Sequence, residues 1–269
     1  MSERNPSYVG VSGIVNPEQQ ARILEIGNEN GLTASRRLLI GVKAVHKTQW
    51  LDTENKYGDQ WYPVGKQIHD VLDPELNTFN VAQMYYDPDI LTLNPTYALK
   101  FMQRVQKRMG SALHAVQFDM LPYPERPMTY TPLFTQLAEH GYESIVQCHA
   151  GAMKTGPRLA IETLKRVSPH LGYVLFDSSH GRGLEMNPDA LLPFLDAAYN
   201  DRDFAESGTN FGVAGGLDAV AVDTHMRRIT AHFPDVSWDA EGRMHESDDG
   251  SLAMDVVRDY LDASARTIS

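Results

Sequence analysis

The feature that most constrains the fold of this chain is a regular alternation of short apolar segments with amphipathic ones. Eight apolar segments have the length and composition of buried strands, and a segment with helical spacing follows each of them. The strand candidates lie at residues 8–15, 38–45, 79–86, 113–119, 144–149, 173–177, 210–217 and at the start of 234–243. Eight such units in 269 residues favour a closed parallel barrel over an open sheet. We therefore predict a (β/α)8 TIM barrel, an α/β fold, as a single domain over residues 1–269.

The predicted helices follow the strands in order. They lie at 16–27, 64–72, 95–109, 133–139, 155–167, 188–199, 218–233 and 252–263. Between the second strand and its helix, residues 46–63 form a long aromatic and polar segment. A loop of this length at a barrel mouth indicates either a lid or substrate wall, or a loop packed on the outer surface.

The composition limits the partners that this chain can have. Its net charge is −11 and its pI about 5.3. A nucleic-acid-binding surface requires clustered Lys and Arg, so this balance argues against one. Cys148 is the single cysteine, which excludes an intramolecular disulfide and a thiolate metal cluster. No apolar run reaches the ~18 residues of a membrane span. We expect a cytoplasmic protein with no nucleic-acid or membrane partner.

Two adjacent glycines follow the seventh predicted strand. Gly215 and Gly216 end the apolar run 210–217 and precede the predicted helix 218–233. Glycines let the backbone approach a ligand closely, and the amide groups at a helix start bind anions. In (β/α)8 barrels the loops after strands seven and eight commonly form a phosphate site. The pair therefore predicts a phosphate-binding turn, and an ordinary loop turn is the alternative.

Motifs at the strand ends occur in a distinctive order. They are GVSGI at 10–14, VQFD at 116–119, LFDSSHGRG at 175–183, AGGL at 214–217 and DVSWDAE at 235–241. In this order the motifs resemble those of strands one, four, six, seven and eight of phosphoribosylanthranilate isomerase, a (β/α)8 barrel of tryptophan biosynthesis. The resemblance spans nearly the whole chain.

The resemblance implies a reaction and roles for two residues. The family isomerises an aminoaldose to an aminoketose, an Amadori rearrangement in which a strand-one cysteine removes a proton from sugar C2 and a strand-six aspartate protonates the ring oxygen. Asp177 matches that aspartate, whereas Ser12 stands at the position of the cysteine. A hydroxyl is a poor base unless another group takes its proton. This chain also has Gly10 where the family has a lysine, Asp119 where it has a histidine, and Asp239 where it has a glycine. A carboxylate at the position of Asp239 would repel a phosphate.

Several other residues end predicted strands, where barrel enzymes hold their catalytic groups. His149 and His180 can transfer protons near neutral pH. Asp119 can form an acid–base pair with Asp177. Cys148 neighbours His149 on a pleated strand, so we predict that it faces the opposite way as a buried apolar side chain. The candidate ligands of a substrate phosphate or carboxylate are Lys43, His46, Arg182 and Ser237. Capping, turn-forming or surface roles are the alternatives for these polar residues.

Three hypotheses about function follow. The first is an isomerase similar to phosphoribosylanthranilate isomerase, which acts on a phosphorylated sugar by acid–base catalysis with Asp177 as the acid. Ser12, Asp119, His149 or His180 would share the remaining proton transfer. The second is a lyase or N-glycosyl hydrolase that uses Asp119 and Asp177, and the third is a non-catalytic barrel that binds a phosphorylated ligand. None of them requires a cofactor or a metal, and a homodimer is an open expectation.

Overall fold

Eight parallel strands close into one barrel in chain order, because β1 pairs with both β2 and β8. The computed structural model describes residues 4–45, 49, 58, 62–63, 67–85, 95–118, 131–166, 170–179, 185–245 and 251–269. The strands are β1 (Tyr8–Ser12), β2 (Arg37–Val45), β3 (Phe79–Tyr85), β4 (Ala115–Phe118), β5 (Glu143–His149), β6 (Tyr173–Asp177), β7 (Asn210–Ala214) and β8 (Ser237–Ala240). The predicted (β/α)8 barrel is confirmed.

Helices surround the barrel. The longer ones are α1 (Pro17–Glu29), α2 (Pro95–Met109), α3 (Thr131–Glu139), α4 (Pro157–Lys165), α5 (Pro188–Tyr199), α6 (residues 219–230) and α7 (Met254–Ile268). Within α6 a π-helical turn, Val222–Met226, separates two short α-helical pieces. Shorter helical turns lie at Leu32–Ala34, Gln67–Asp70, Gly110–Ala112, Ala150–Met153, Arg202–Ser207 and Gly242–Met244. Helix α1 begins as the sequence predicts, with the Asn16 side chain accepting a hydrogen bond from Gln19 N and proline at the first position.

The helix predicted at 64–72 is wrong in its described part. Only Gln67–Asp70 is helical, and it forms a single 3₁₀ turn. The backbone N–H of Asp73 donates to the side chain of Gln20 on α1, with an N–Oε1 distance of 2.7 Å. Pro74 follows and disfavours a helical conformation at Asp73. The chain therefore leaves the helical path and is fixed to α1 instead.

Most of the predicted loop 46–63 lies outside the described residues, but one of its residues is firmly placed. Gln49 is buried, and its carbonyl oxygen accepts hydrogen bonds from Arg104 Nε at 2.9 Å and Arg108 at 2.7 Å. Its side chain donates to the carbonyl oxygen of Pro63 at 2.7 Å. These bonds attach this part of the segment to helix α2.

Strand side chains alternate between the helices and the inside of the barrel. The inward apolar residues are Tyr8, Leu39, Phe79, Val81, Ala115, Ile145, Tyr173, Leu175 and Ala214. Cys148 belongs to the outward core, and burial raises the pKa of its thiol to about 12. The prediction of a buried apolar Cys148 is confirmed. Towards the carboxyl ends of the strands the inward positions change from apolar to polar.

Candidate active site

Seven polar side chains fill the carboxyl-terminal end of the barrel interior. They come from seven different strands and are each less than one-tenth exposed: Ser12, Lys43, Gln83, Gln117, Gln147, Asp177 and Asp239. Burying polar and charged groups is unfavourable unless they are well paired. Barrel enzymes hold their catalytic residues at this end. We therefore take these seven residues, termed the upper layer, as the candidate active site.

Ser12 and Asp239 form a hydrogen-bonded pair between β1 and β8. The Ser12 hydroxyl donates to the Asp239 carboxylate, with Oγ 3.0 Å from Oδ1 and 3.2 Å from Oδ2. Gly10 is the register partner of Asp239, and a Cβ atom at Gly10 would lie only 2.7 Å from Asp239 Oδ1. The glycine in strand one thus leaves the space that the aspartate in strand eight occupies. Gly10 and Asp239, which both differ from the resembled family, are therefore complementary. The Asp239 side chain points inward to Ser12.

Asp177 ends β6, and its carboxylate accepts hydrogen bonds from Gln147 and Ser179. Gln147 Nε2 donates to Oδ2 at 2.6 Å, and the backbone N and the hydroxyl of Ser179 each donate to Oδ1 at 2.7 Å. Gly215 packs against this carboxylate, since a Cβ atom there would lie 2.5 Å from Oδ1. Its φ of 102° also favours glycine. Close packing against Asp177 therefore explains Gly215 independently of a phosphate.

The two carboxylates flank the end of β7. Ala214 is the register partner of Asp177 on one side and of Asp239 on the other. Two inter-strand spacings place the Cα atoms of the aspartates about 10 Å apart. Both side chains occupy inward, buried positions. A small molecule on the barrel axis can therefore contact both carboxylates.

Lys43 and Glu241 form an ion pair at the mouth, with 2.8 Å between Nζ and Oε1. The Tyr85 hydroxyl donates to Glu241 Oε2 at 3.2 Å, and the Tyr62 ring centre lies 5.2 Å from the ammonium. Burial acts to raise the pKa of Glu241, but the charge and hydrogen bond of Lys43, together with His245 and Tyr85, outweigh it and lower that pKa. A phosphate at Lys43 would therefore meet an ammonium group whose charge Glu241 already balances.

His149 ends β5 beside Asp177, its register partner on β6. Its Nδ1 accepts a hydrogen bond from the backbone N of Gly151 at 2.9 Å. A neutral imidazole with an accepting Nδ1 carries its proton on Nε2. The structure thus places the predicted His149 at the rim of the barrel, next to the Asp177 strand end.

The turn after β7 contains features that favour an anion and one that opposes it. Gly216 follows Gly215 with a φ of 62°. Asp218 caps α6, because its Oδ1 accepts a hydrogen bond from Ala221 N at 2.8 Å, and its other oxygen pairs with Arg243. A carboxylate therefore already occupies the helix start that would bind a phosphate. Arg243, which follows β8, supplies a positive charge beside this turn.

Ser237 lies at the opposite end of the barrel from the upper layer. It is the first residue of β8 and is fully buried. Its Oγ accepts a hydrogen bond from Tyr8 N at 3.0 Å. Because all eight strands run in the same direction, the start of β8 faces away from the mouth. The position of Ser237 does not support the predicted phosphate contact.

Four other predicted site residues, His46, Asp119, His180 and Arg182, lie outside the described residues. In the described part of the chain, no cluster of three or more His, Cys, Asp or Glu side chains is arranged to hold a metal ion. The described helices include none with the length and apolar character needed to cross a bilayer.

A cavity of about 1220 Å³ lies at the amino-terminal end of the barrel. Its wall includes Arg4, Arg36 and Arg37. Arg37 pairs with Glu143 at 2.8 Å, and Arg4 donates to the carbonyl oxygen of Thr209 at 2.8 Å. These arginines bind groups of the protein itself. The upper layer therefore remains the candidate active site.

Glu241, Tyr85, Gln147 and Arg243 were not predicted as site residues from the sequence, and Asp239 lies inward beside Ser12 rather than where it would repel a phosphate. One signal was available for two of them. On β8 and just beyond it, Ser237, Asp239 and Glu241 recur with the period of two that marks one face of a strand. Pairing partners such as Tyr85 and Gln147 depend on which strands are neighbours at the mouth, so the sequence carries no local signal for them.

Similarity to known proteins is confined to three-dimensional structure. No protein-family model and no curated protein matches the sequence. Phosphoribosyl anthranilate isomerase from Thermus thermophilus has a TM-score of 0.58 at 14% identity, over 96% of this chain and 98% of that chain. Tryptophan synthase from Pyrococcus furiosus gives 0.56 at 13% over 97% and 98%, and tryptophan synthase subunit alpha from Legionella pneumophila gives 0.52 at 13% over 97% and 92%. At these identities the similarity establishes the fold alone.

Proposed function

We propose that this chain is an acid–base enzyme that isomerises a small phosphorylated sugar, from aminoaldose to aminoketose, at the carboxyl end of the barrel. The observation that carries the proposal is the pair of buried carboxylates, Asp177 and Asp239, on either side of the end of β7. Ionisable groups buried at a barrel mouth are typical of catalytic acids and bases. The strand-end motifs and the fold shared with phosphoribosyl anthranilate isomerase support the reaction type.

Asp239 is the proposed base. In the resembled family a strand-one cysteine removes the proton from sugar C2, and Ser12 stands in that place here. The Ser12 hydroxyl already donates to Asp239. Asp239 either takes the C2 proton directly, or Ser12 takes it while passing its own proton to Asp239. The carboxylate thus supplies the basicity that a lone hydroxyl lacks.

Asp177 is the proposed acid that protonates the ring oxygen. To carry a proton, its carboxylate must exchange one of the hydrogen bonds that it accepts for one that it donates. Gln147 permits this exchange, because a carboxamide has both a donor and an acceptor and can turn its oxygen towards a protonated Asp177. The Ser179 hydroxyl can likewise rotate to accept. Both partners therefore suit either protonation state of Asp177.

We place the phosphate between the turns that follow β7 and β8. The backbone at Gly215 and Gly216 would offer amide donors, and Arg243 would turn from Asp218 to the phosphate. The ion pair keeps the Arg243 side chain at the site. His149 at the rim is a second group able to move a proton to or from solvent.

The experiment that tests this function is turnover of phosphoribosylanthranilate, followed by loss of its fluorescence, with the wild-type protein, Asp177→Asn and Ser12→Ala. We expect wild-type turnover, a loss of about 10²–10⁴-fold in Asp177→Asn, and a smaller loss in Ser12→Ala because Asp239 remains. Wild-type protein that leaves this compound unchanged would remove the tryptophan-pathway substrate. Asp177→Asn with full activity would remove the proposed acid.

A second candidate function is cleavage by the two carboxylates, as in a lyase or an N-glycosyl hydrolase. The observation that favours it is the second buried carboxylate, Asp239, which joins Asp177 at the mouth. Separation of the products discriminates the two reactions, because cleavage releases a free base or amine whereas isomerisation conserves the mass of the substrate. A rise in melting temperature with phosphorylated sugars and no turnover of any would indicate the third hypothesis, a binding barrel. In each case we propose a cytoplasmic protein.

A further inference from the structure

Three neighbouring strands each direct a glutamine into the upper layer. They are Gln83 on β3, Gln117 on β4 and Gln147 on β5, all buried. Gln83 is the middle of a polar row, because its register partners are Lys43 on β2 and Gln117 on β4. Gln147 is assigned above to Asp177, whereas the proposed reaction gives Gln83 no role.

The carboxamide oxygen of Gln83 is a buried acceptor with no hydrogen-bond donor among the described residues. The residue is 1% exposed, and among the residues that the structure describes no group donates a hydrogen bond to its Oε1. Such an unpaired acceptor destabilises a folded protein. A buried glutamine elsewhere in the chain shows the contrast: Gln20 donates to Thr78 Oγ1 at 2.8 Å and accepts from Asp73 N at 2.7 Å.

We infer that Gln83 belongs to a sugar-binding subsite, in which a hydroxyl group of the ligand donates a hydrogen bond to Gln83 Oε1. The inference rests on the proposed function, in which the ligand is a phosphorylated sugar. It adds that the sugar enters the barrel as far as Gln83. Gln117 lies beside Gln83 on the next strand and extends the subsite towards β5.

The chemistry of the surrounding groups selects a hydroxyl. A carboxylate has no proton to donate to Gln83 at neutral pH, and a phosphate monoester, with a second pKa near ~6, is mostly the dianion. An ammonium group has protons, but the register partners of Gln83 are Lys43 and Gln117, which offer no carboxylate to balance a buried positive charge. An uncharged donor remains, and the hydroxyl groups of a sugar supply several of them.

The stability of two matched variants tests whether Gln83 is held for a ligand. Gln83→Met removes an acceptor that has no partner, so we expect a melting temperature equal to or higher than that of the wild type. Gln20→Met removes a fully bonded buried glutamine, so we expect a fall of roughly 3 °C or more. A fall for Gln83→Met equal to that for Gln20→Met would show that Gln83 supports the fold, and would overturn the inference.

Binding to three probes tests the subsite itself. Ribose 5-phosphate, free ribose and inorganic phosphate are titrated calorimetrically into the wild type, Gln83→Met and Gln20→Met. We expect Gln83→Met to weaken ribose 5-phosphate about tenfold, the equivalent of one hydrogen bond, and to leave inorganic phosphate unchanged. Folded Gln20→Met should bind all three as the wild type does. Equal affinities of Gln83→Met and the wild type for ribose 5-phosphate would contradict the subsite.

The probes also separate this inference from the proposed function. Suppose that neither ribose 5-phosphate nor inorganic phosphate binds, whereas free ribose binds to the wild type and not to Gln83→Met. The phosphate part of the proposed function then fails and the subsite stands. If ribose 5-phosphate binds no more tightly than inorganic phosphate, and free ribose does not bind, the subsite fails and the phosphate part stands. Absence of binding by all three probes overturns both.

Discussion

The two ends of the barrel interior obey the same alternation of side chains but hold opposite chemistry. At the amino end, the rings of Tyr8, Phe79 and Tyr173 pack together with centres 5.1–6.1 Å apart. The charge of Arg37 beside them is well paired, because Arg37 stacks 3.5 Å from the Phe79 ring centre and bonds to Glu143 at 2.8 Å and to the Tyr173 hydroxyl at 3.0 Å. At the carboxyl end, the upper layer contains two aspartates, one lysine and three glutamines in buried positions.

The difference separates the part of the barrel that stabilises the fold from the part in which we propose that the reaction takes place. Packed aromatic rings contribute both buried area and favourable ring contacts. Buried charges and amides contribute less, since their desolvation offsets their pairing. The seven polar side chains of the upper layer are therefore expected to contribute less to stability than the aromatic cluster does, which supports the proposed site. Substitutions in the aromatic cluster at the amino end should mainly lower stability. Substitutions of the proposed catalytic residues at the carboxyl end should mainly lower activity.

The largest expected effect on stability is at the amino end. Phe79→Ala removes a buried ring from the cluster with Tyr8 and Tyr173, and we expect it to lower the free energy of unfolding by about 3–5 kcal/mol. Urea denaturation followed by circular dichroism measures this change. Phe79→Leu, which keeps most of the volume, should lose clearly less. A loss below about 1 kcal/mol in Phe79→Ala would contradict the stabilising role of this end.

An intermediate effect is expected for the Lys43–Glu241 pair at the mouth. Glu241→Gln leaves the buried ammonium of Lys43 without its carboxylate, and we expect a loss of about 2 kcal/mol. Lys43→Met should lose less, because the Glu241 side chain is 29% exposed and water can solvate it. The double variant should recover stability relative to Glu241→Gln alone. Equal losses in both single variants, without recovery in the double one, would contradict the assigned asymmetry of burial.

The smallest effect concerns His114 at the amino end. Burial lowers the pKa of His114 and the nearby charge of Arg37 lowers it further, while its Nδ1 accepts a hydrogen bond from Asn80 N at 3.0 Å. The neutral ring is thus favoured in the folded state. Its contribution to stability is complete above the unfolded pKa near ~6.5 and declines as the pH falls through that value. Urea midpoints between pH 8 and pH 5 should therefore fall more steeply in the wild type than in His114→Gln, and parallel curves would refute this.

The fold follows from the sequence because its determinants are local and repeated. Period-two apolar segments and capped helices, such as α1 with Asn16 and Pro17, recur often enough that the wrong helix at 64–72 and the overlong strands 8–15 and 210–217 leave the topology intact. The error at 64–72 came from a distant contact, the bond of Asp73 to Gln20. The π turn in α6 likewise has no signal that we recognised in the sequence.

The site was only partly predictable, because its contacts cross between strands that are distant in the chain. Asp177, Ser12 and His149 end strands and Lys43 lies two residues before the end of β2, and the structure places each of them at the carboxyl end of the barrel. The role of Asp239 could not be read from its own segment, since it depends on Gly10, 229 positions away, leaving room for it when the barrel closes. Ser237 was misassigned because a motif match does not say at which end of the strand a residue lies.

The most direct test of the account is a paired measurement on Asp239→Asn, which keeps the shape of the side chain and removes its charge. Its free energy of unfolding in urea and its turnover of phosphoribosylanthranilate are measured on the same preparation. We predict a stability within about 1 kcal/mol of the wild type, together with a loss of turnover of about 10²–10⁴-fold. Unchanged turnover, or a large loss of stability, would contradict the claim that the upper layer is built for catalysis.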